Sequence, residues 1–197
     1  MFRRPLVLVL SFLLALAVAG SALAANVKVR VEGRTTTIFG KAQPTVVADN
    51  ALQALDAASV VGEFHYAVTS SSFGNYVSQI GKYAAGGSSG WVFKVNGVSP
   101  PVGADQVQLK DGDVVLWYWA TFGPAGGPPT LDLNRLPGNC YVVESVTDAG
   151  KRTRAAGASL VVDGKRFRTR NGRACVGKHT GLVRAVAPGA VPSNAVR

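Results

Sequence analysis

The chain has 197 residues, with 21 Lys and Arg against 11 Asp and Glu, two Cys, and a formal net charge of +10. That length allows one or two small domains, each able to bury a core. A hydrophobic share of 47% excludes an intrinsically disordered chain, and two cysteines exclude a disulfide-dense miniprotein.

Arg3 and Arg4 precede an apolar run from Leu6 to Ala19, interrupted only by Ser11, and the small-residue segment Ser21 to Ala25 follows. A short basic start, an apolar stretch and small residues at a cleavage site make a secretory signal peptide over residues 1–25. The run is too short for a membrane span of about 20 residues. The expected mature chain starts near Ala25 or Asn26 and is secreted or held in the cell envelope, with no transmembrane segment.

The charge is unevenly placed. Residues 26–129 carry seven basic and seven acidic side chains, whereas residues 130–197 carry twelve basic and four acidic. Between these halves lies the Gly/Pro cluster Gly123 to Pro129, read as a linker over residues 123–130. The asymmetry predicts two domains, 26–122 and 131–197, with different surfaces.

In the first, Val27, Val29 and Val31 alternate with Lys28, Arg30 and Glu32, which predicts a half-buried strand. Thr35 to Phe39 is β-prone, so a hairpin is expected. Residues 48–59 change to a helical period, with Ala51, Leu52, Leu55 and Ala58 on one face and Asp49 at the cap or in the first turn. Strands return at Phe64 to Val68, Tyr76 to Ile80 and Trp91 to Val95. Asn96-Gly97 signals a type I′ hairpin. Asp111-Gly112 marks the turn before a last strand, Val114 to Trp119. One helix packed across a mixed sheet is the economical arrangement.

The stretches GWVFKVNGV (Gly90 to Val98) and VGADQVQLKDGDVVLWYW (Val102 to Trp119) resemble the β-grasp domain similar to the C-terminal domain of transcobalamin and intrinsic factor. In bacteria that module is known mostly as an uncharacterised secreted or surface domain. The resemblance covers residues 26–122 and implies an α+β β-grasp fold able to cover one face of a corrinoid. The large helical domain of the animal carriers is absent. Gly97, Gly112, Asp111 and Asp113 suit tight turns, and Trp91, Phe93, Trp117 and Trp119 alternate as core residues. The loops Ser70 to Tyr76 and Tyr83 to Trp91 mix aromatic and small polar residues, a composition suited to a planar or extended ligand. Phe73, Asn75, Tyr76, Tyr83, Ser88, Ser89 and Trp91 are the candidate ligand contacts.

In the second half, short β-prone runs recur at Cys140 to Ser145, Ala158 to Val162, Arg173 to Val176 and Gly181 to Ala187, with turns at Asp163-Gly164 and Asn171-Gly172. A small all-β, sandwich-like domain is predicted. AGASLVVDGKRFRT and GRACV, within Ala156 to Val176, resemble the small immunoglobulin-like or carboxypeptidase-regulatory-like β-domains of exported proteins. Cys140 and Cys175 form an even pair in an exported chain and predict a disulfide; the alternative is a metal site with His179 that lacks an evident fourth ligand. Arg152, Arg154, Lys165, Arg166, Arg168 and Arg170 form a basic stripe. It suits an anionic envelope polymer. No helix or aromatic platform accompanies it, so sequence-specific nucleic-acid binding is not expected.

No nucleophile elbow or phosphate-cradling loop is present, and His65 with Ser70, Ser71 and Ser72 is the sole candidate pairing for a hydrolase. The expected function is that of an exported, non-catalytic binding or interaction protein without a bound cofactor. Its loops hold a small ligand, a corrinoid by resemblance, or a partner. The alternative is a protein held to anionic wall polymers by its basic half, and a secreted hydrolase is the third reading.

Overall fold

The computed structural model describes residues 24–71, 74–124 and 126–197; the predicted signal peptide lies outside them up to residue 23. Val27, Val29 and Val31 alternate as expected, all fully buried on one face of β1 (Ala25–Glu32). β1 runs antiparallel to β2 (Thr37–Phe39) and β3 (Thr45–Ala48) on one edge. On the other edge it runs parallel to β8 (Val114–Thr121), which carries β7 (Ser89–Val95). The β7–β8 connection includes Asn96 and Gly97, both at positive φ (53° and 85°), as the type I′ signal predicts. At Gly40 (φ +69°) a Cβ would lie 2.4 Å from the Val29 carbonyl oxygen, so the loop joining β2 to β3 crosses β1 only because no side chain is there.

One helix, α1 (Ala51–Gly62), covers the valine face of β1 with Ala51, Ala54, Leu55 and Ala58. Its cap is Asn50 rather than Asp49. The Asn50 side chain accepts from Gln53 N at 2.9 Å, and Gln53 Oε1 in turn accepts from Asp49 N at 2.9 Å. This is close to a capping box. At the other end Glu63 adopts a left-handed conformation (φ 50°).

The strands after the helix do not join the first sheet. β4 (Tyr66–Ser71), β5 (Gly74–Ile80) and β6 (Tyr83–Ala84) form their own three-stranded sheet, with a bulge between Ala67 and Val68. In residues 130–197, β9 (Thr130–Leu136), β10 (Cys140–Val146), β11 (Arg152–Arg154) and β14 (Arg173–Cys175) make one four-stranded sheet. β12 (Ser159–Val162), β13 (Lys165–Arg168), β15 (Val183–Val186) and β16 (Ala195–Val196) make another. Leu131, Leu133, Tyr141, Val143, Leu160, Val162, Val183 and Ala185 fill the core between these two sheets. Cys140 and Cys175 stand directly opposite each other on β10 and β14 and are joined by a disulfide.

These observations correct the expected fold class of an α+β β-grasp followed by a small sandwich-like domain. Among the described residues there is one helix of 12 residues against sixteen strands in four sheets, so the chain is mostly all-β. The helical period is confined to three turns around Leu55. The described strands divide among four sheets, which one mixed sheet under one helix does not accommodate.

The back face of the first sheet is buried as well. Leu116, Tyr118 and Ala120 of β8 pack against Val191. Thr130 and Val191 form a parallel bridge, and Ala195 N donates to the Lys41 carbonyl at 2.8 Å. Arg30 and Glu32 therefore lie at 3% and 2% exposure, not on a solvent face. Arg30 Nη1 stands 3.0 Å from Glu32 Oε1 and also donates to the Pro192 carbonyl. Arg184, on β15, pairs with the same carboxylate oxygen, donates to Thr37 Oγ1, and reaches the Ser193 carbonyl through Nε at 2.9 Å. Burial pulls the Arg30 guanidinium below its ordinary range, while the Glu32 charge opposes this and Arg184 adds to it.

Candidate ligand pocket

Alternation along β7 and β8 stacks aromatic side chains over the helix face. The Phe93 and Trp117 rings are stacked with centroids 5.0 Å apart, and Trp91 meets Trp119 edge-on at 5.6 Å. Both indole donors that sit deepest are satisfied by backbone. Trp91 Nε1 donates to the Tyr83 carbonyl at 2.8 Å and Trp117 Nε1 to that of Ala51 at 3.2 Å. Hydrogen-bonded at one end and packed along the ring, these side chains form a rigid wall.

Beside that wall, at the outer edge of β7, lies a pocket of about 320 Å³. β5 contributes Asn75, Tyr76 and Val77, the segment after β7 contributes Ser99, Pro100, Gly103 and Ala104, and Phe122 and Asp148 close it. Trp91, Phe93 and Trp117 from one face of the sheet and Tyr118 from the other contribute aromatic lining, while Tyr76 and Phe122 are half-exposed at the rim. The volume is at the lower end for small-molecule sites, and the mix of apolar walls with a few polar groups is what such sites need.

Its polar end is built by residues from both halves of the sequence. Asp148 sits in the turn between β10 and β11, and its carbonyl accepts from Ser99 N at 2.8 Å. Asp148 Oδ1 pairs with Lys94 Nζ at 3.2 Å and accepts from the Tyr118 hydroxyl at 3.3 Å. Lys94 is fully buried behind the pocket wall. Its ammonium also bonds the Val146 carbonyl (3.0 Å) and Thr130 Oγ1 (3.3 Å), and lies 5.7 Å from the Tyr118 ring centre. Burial pushes Lys94 down and the Tyr118 phenol up; for Lys94 the bond to Asp148 works against burial. At the β5 side, Asn75 Oδ1 accepts from Ser70 Oγ at 2.7 Å and Asn75 Nδ2 donates to Asp105 Oδ2 at 3.3 Å. Asp105 Oδ1 is buried without a hydrogen-bond partner.

Of the candidate ligand contacts, Asn75, Tyr76 and Trp91 line the pocket and Tyr83, Ser88 and Ser89 do not. Phe73 lies outside the described residues. Tyr83 packs against Trp91 and Trp119 and shares a 3.0 Å hydrogen bond with Thr35 Oγ1. Ser89 Oγ is 2.8 Å from Thr121 Oγ1 across β7 and β8, and the Ser88 carbonyl accepts from Phe122 N. Sequence reasoning missed Ser99, Tyr118, Phe122 and Asp148. For Tyr118 the signal was present, since alternation places it opposite Trp117 and Trp119. For Asp148, in the basic half, there was none.

The basic stripe divides. Arg152 pairs with Asp132 at 2.5 Å and Glu144 at 3.4 Å, which raises its pKa through the Asp132 hydrogen bond first. Arg154, Lys165, Arg166, Arg168 and Arg170 are exposed and form no ion pair among the described residues. β13 is the edge strand of its sheet and lies next to β14, so these side chains, with exposed Arg173, make one band across two neighbouring sheet edges. His65 is exposed, and Ser72 lies outside the described residues. The other histidine, His179, is held between the Tyr141 hydroxyl (2.8 Å) and the Gly181 carbonyl (2.9 Å).

The family described as a domain of unknown function (DUF4430) matches residues 48–121, from α1 through β8, which includes most of the pocket wall. No curated protein matches the chain. One similar solved structure is a protein of Ruminococcus gnavus, described as a "putative metal binding protein", at 16% identity and a TM-score of 0.36. The match covers 48% of this chain and 95% of that one. Among the described residues no three His, Cys, Asp or Glu side chains gather into a group that could hold a metal ion. No helix among them is long and apolar enough to cross a membrane.

Proposed function

We infer that the chain is an exported, non-catalytic binding protein whose pocket takes a small ligand with a planar, largely apolar body. The observation that supports this most is the largely aromatic lining of the 320 Å³ pocket, with a half-exposed Tyr76 and Phe122 at its mouth. Export is read from the signal-peptide pattern. The transcobalamin-like motifs make a corrinoid the first compound to try, with one edge of the macrocycle in the pocket. Trp91 and Trp117 line the pocket, so their fluorescence reports occupancy. Titration with cobalamin and with haem, checked by equilibrium dialysis, should give saturable quenching. Tyr76→Ala, at a position 50% exposed, should weaken it about threefold to tenfold without loss of folding. Unchanged fluorescence and no retention in dialysis for either compound would remove the planar-ligand reading.

The unpaired arginine band supports a second reading, attachment to anionic wall polymer. The full chain should sediment with purified bacterial cell walls at low ionic strength and be released by roughly 0.5 M salt, because exposed charges are screened there. Replacing Arg166, Arg168 and Arg170 together by Ser should abolish sedimentation. Binding that survives either change is not electrostatic, and this reading then fails.

A further inference from the structure

We propose that the pocket selects an organic cation: an ammonium or substituted ammonium group carried on a small apolar or aromatic body. The proposal rests on the reading of this pocket as a ligand site and names the chemistry of the ligand.

Three features converge. Among the described residues Asp148 is the one charged side chain that lines the pocket, and its side chain is 51% exposed. The cation nearest to it, Lys94, is sealed behind the wall, with its ammonium already bonded to the Val146 carbonyl and Thr130 and resting over Tyr118. Lys94 holds Asp148 through Oδ1 and offers nothing to an incoming anion. A ligand carboxylate or phosphate would therefore meet a carboxylate and no cationic donor, at a cost of several-fold or more in affinity.

A second carboxylate adds to the same field. Asp105 Oδ1 lies 2.7 Å from where a Cβ on Gly103 would stand, and Gly103 is part of the pocket wall. Asp105 has no ion pair among the described residues, and that oxygen is buried with no donor. Asp105 and Asp148 are both tied to the pocket, one through its Asn75 contact and one through the Ser99 backbone bond.

The walls complete the match. Six aromatic residues contribute to the pocket, and a ring presents its negative π face to a cation. A quaternary ammonium, weakly hydrated and apolar at its surface, gains from aromatic faces and a nearby carboxylate at once, whereas a bare metal ion would need ligands these walls lack.

The test compares three benzyl ligands in the full chain: benzyltrimethylammonium, its uncharged carbon isostere neopentylbenzene, and phenylacetate as a smaller, anionic analogue. Tryptophan fluorescence and ligand-observed NMR give each affinity. The cation should bind at least tenfold more tightly than the isostere, and phenylacetate more weakly than both. Asp148→Asn should remove most of the cation's advantage and leave the isostere unchanged. That variant also takes the counter-charge from Lys94, so Asp105→Asn serves as the second variant and should lower cation affinity about twofold to fivefold. If the isostere or phenylacetate binds as tightly as the cation, the charge selectivity is wrong and the pocket stands. If none of the three binds while cobalamin or haem does, the cation proposal falls and the planar-ligand reading survives. Failure of all five compounds overturns both.

Discussion

Glu32→Gln lowers the folding stability of this protein by about 3–5 kcal/mol, seen as a large fall in the urea midpoint with little change in slope. The carboxylate is 2% exposed and is shared by two guanidinium groups, Arg30 on its own strand and Arg184 on β15. A buried ion pair is expensive to assemble, but removing one partner is costlier, because the remaining charge stays in a poorly solvated place. Here the amide would leave two such charges, and Arg30 Nε already has no hydrogen-bond partner. The matched control is Arg30→Met, Glu32→Leu and Arg184→Met together. That apolar triple variant should recover most of the loss, since replacing a whole buried cluster is often neutral or stabilising. A loss below about 1 kcal/mol for Glu32→Gln would mean that water reaches the cluster and that β15 does not cover β1.

Cys140→Ser with Cys175→Ser, or reduction under native conditions, costs about 4 kcal/mol. The bond closes a loop with a sequence separation of 35 and cross-links β10 to β14 at directly opposed positions. In the chain-entropy account the gain comes from fewer unfolded conformations, which a loop of this size sets near that value. Urea unfolding with and without reductant measures it, and a thiol count on the denatured, unreduced protein should find none. The effect should be felt around Tyr141 first, because this fully buried ring is adjacent to Cys140 and bonded to His179. Equal midpoints in both conditions would mean that β14 is held by its hydrogen bonds alone.

What the sequence made legible were features governed by local rules. The valines of β1, the helical face around Leu55, the Asn96-Gly97 turn and the cysteine pair follow from periodicity, backbone freedom and compartment. The misreadings came from packing between distant segments. Arg30 and Glu32 alternate with valines as any solvent-facing residues do, and only the arrival of Arg184 and Pro192 buries them. β9 escaped notice although Leu131 and Leu133 alternate, because Asp132, Asn134 and Arg135 lower its β-propensity and β10 supplies the pairing. The pocket was half legible. Its β5 and β7 contacts came from aromatic and small polar loops, whereas Asp148 belongs to a turn 50 or more residues away in a part of the sequence that reads as basic. The α+β expectation failed because, among the described residues, one short helix stands against sixteen strands.

The segment from Val191 to Ala195 also bears on how the molecule is made. It bridges Thr130, bonds Lys41, and supplies the Pro192 and Ser193 carbonyls that hold Arg30 and Arg184. Contacts such as Arg30 with Pro192 span 162 positions in the chain. A polypeptide made from its amino terminus presents β1 long before the residues that cover its charged face. Native burial of that face has to wait for the Val191 to Ala195 segment, so the contacts that close it are of very long range and form late in folding.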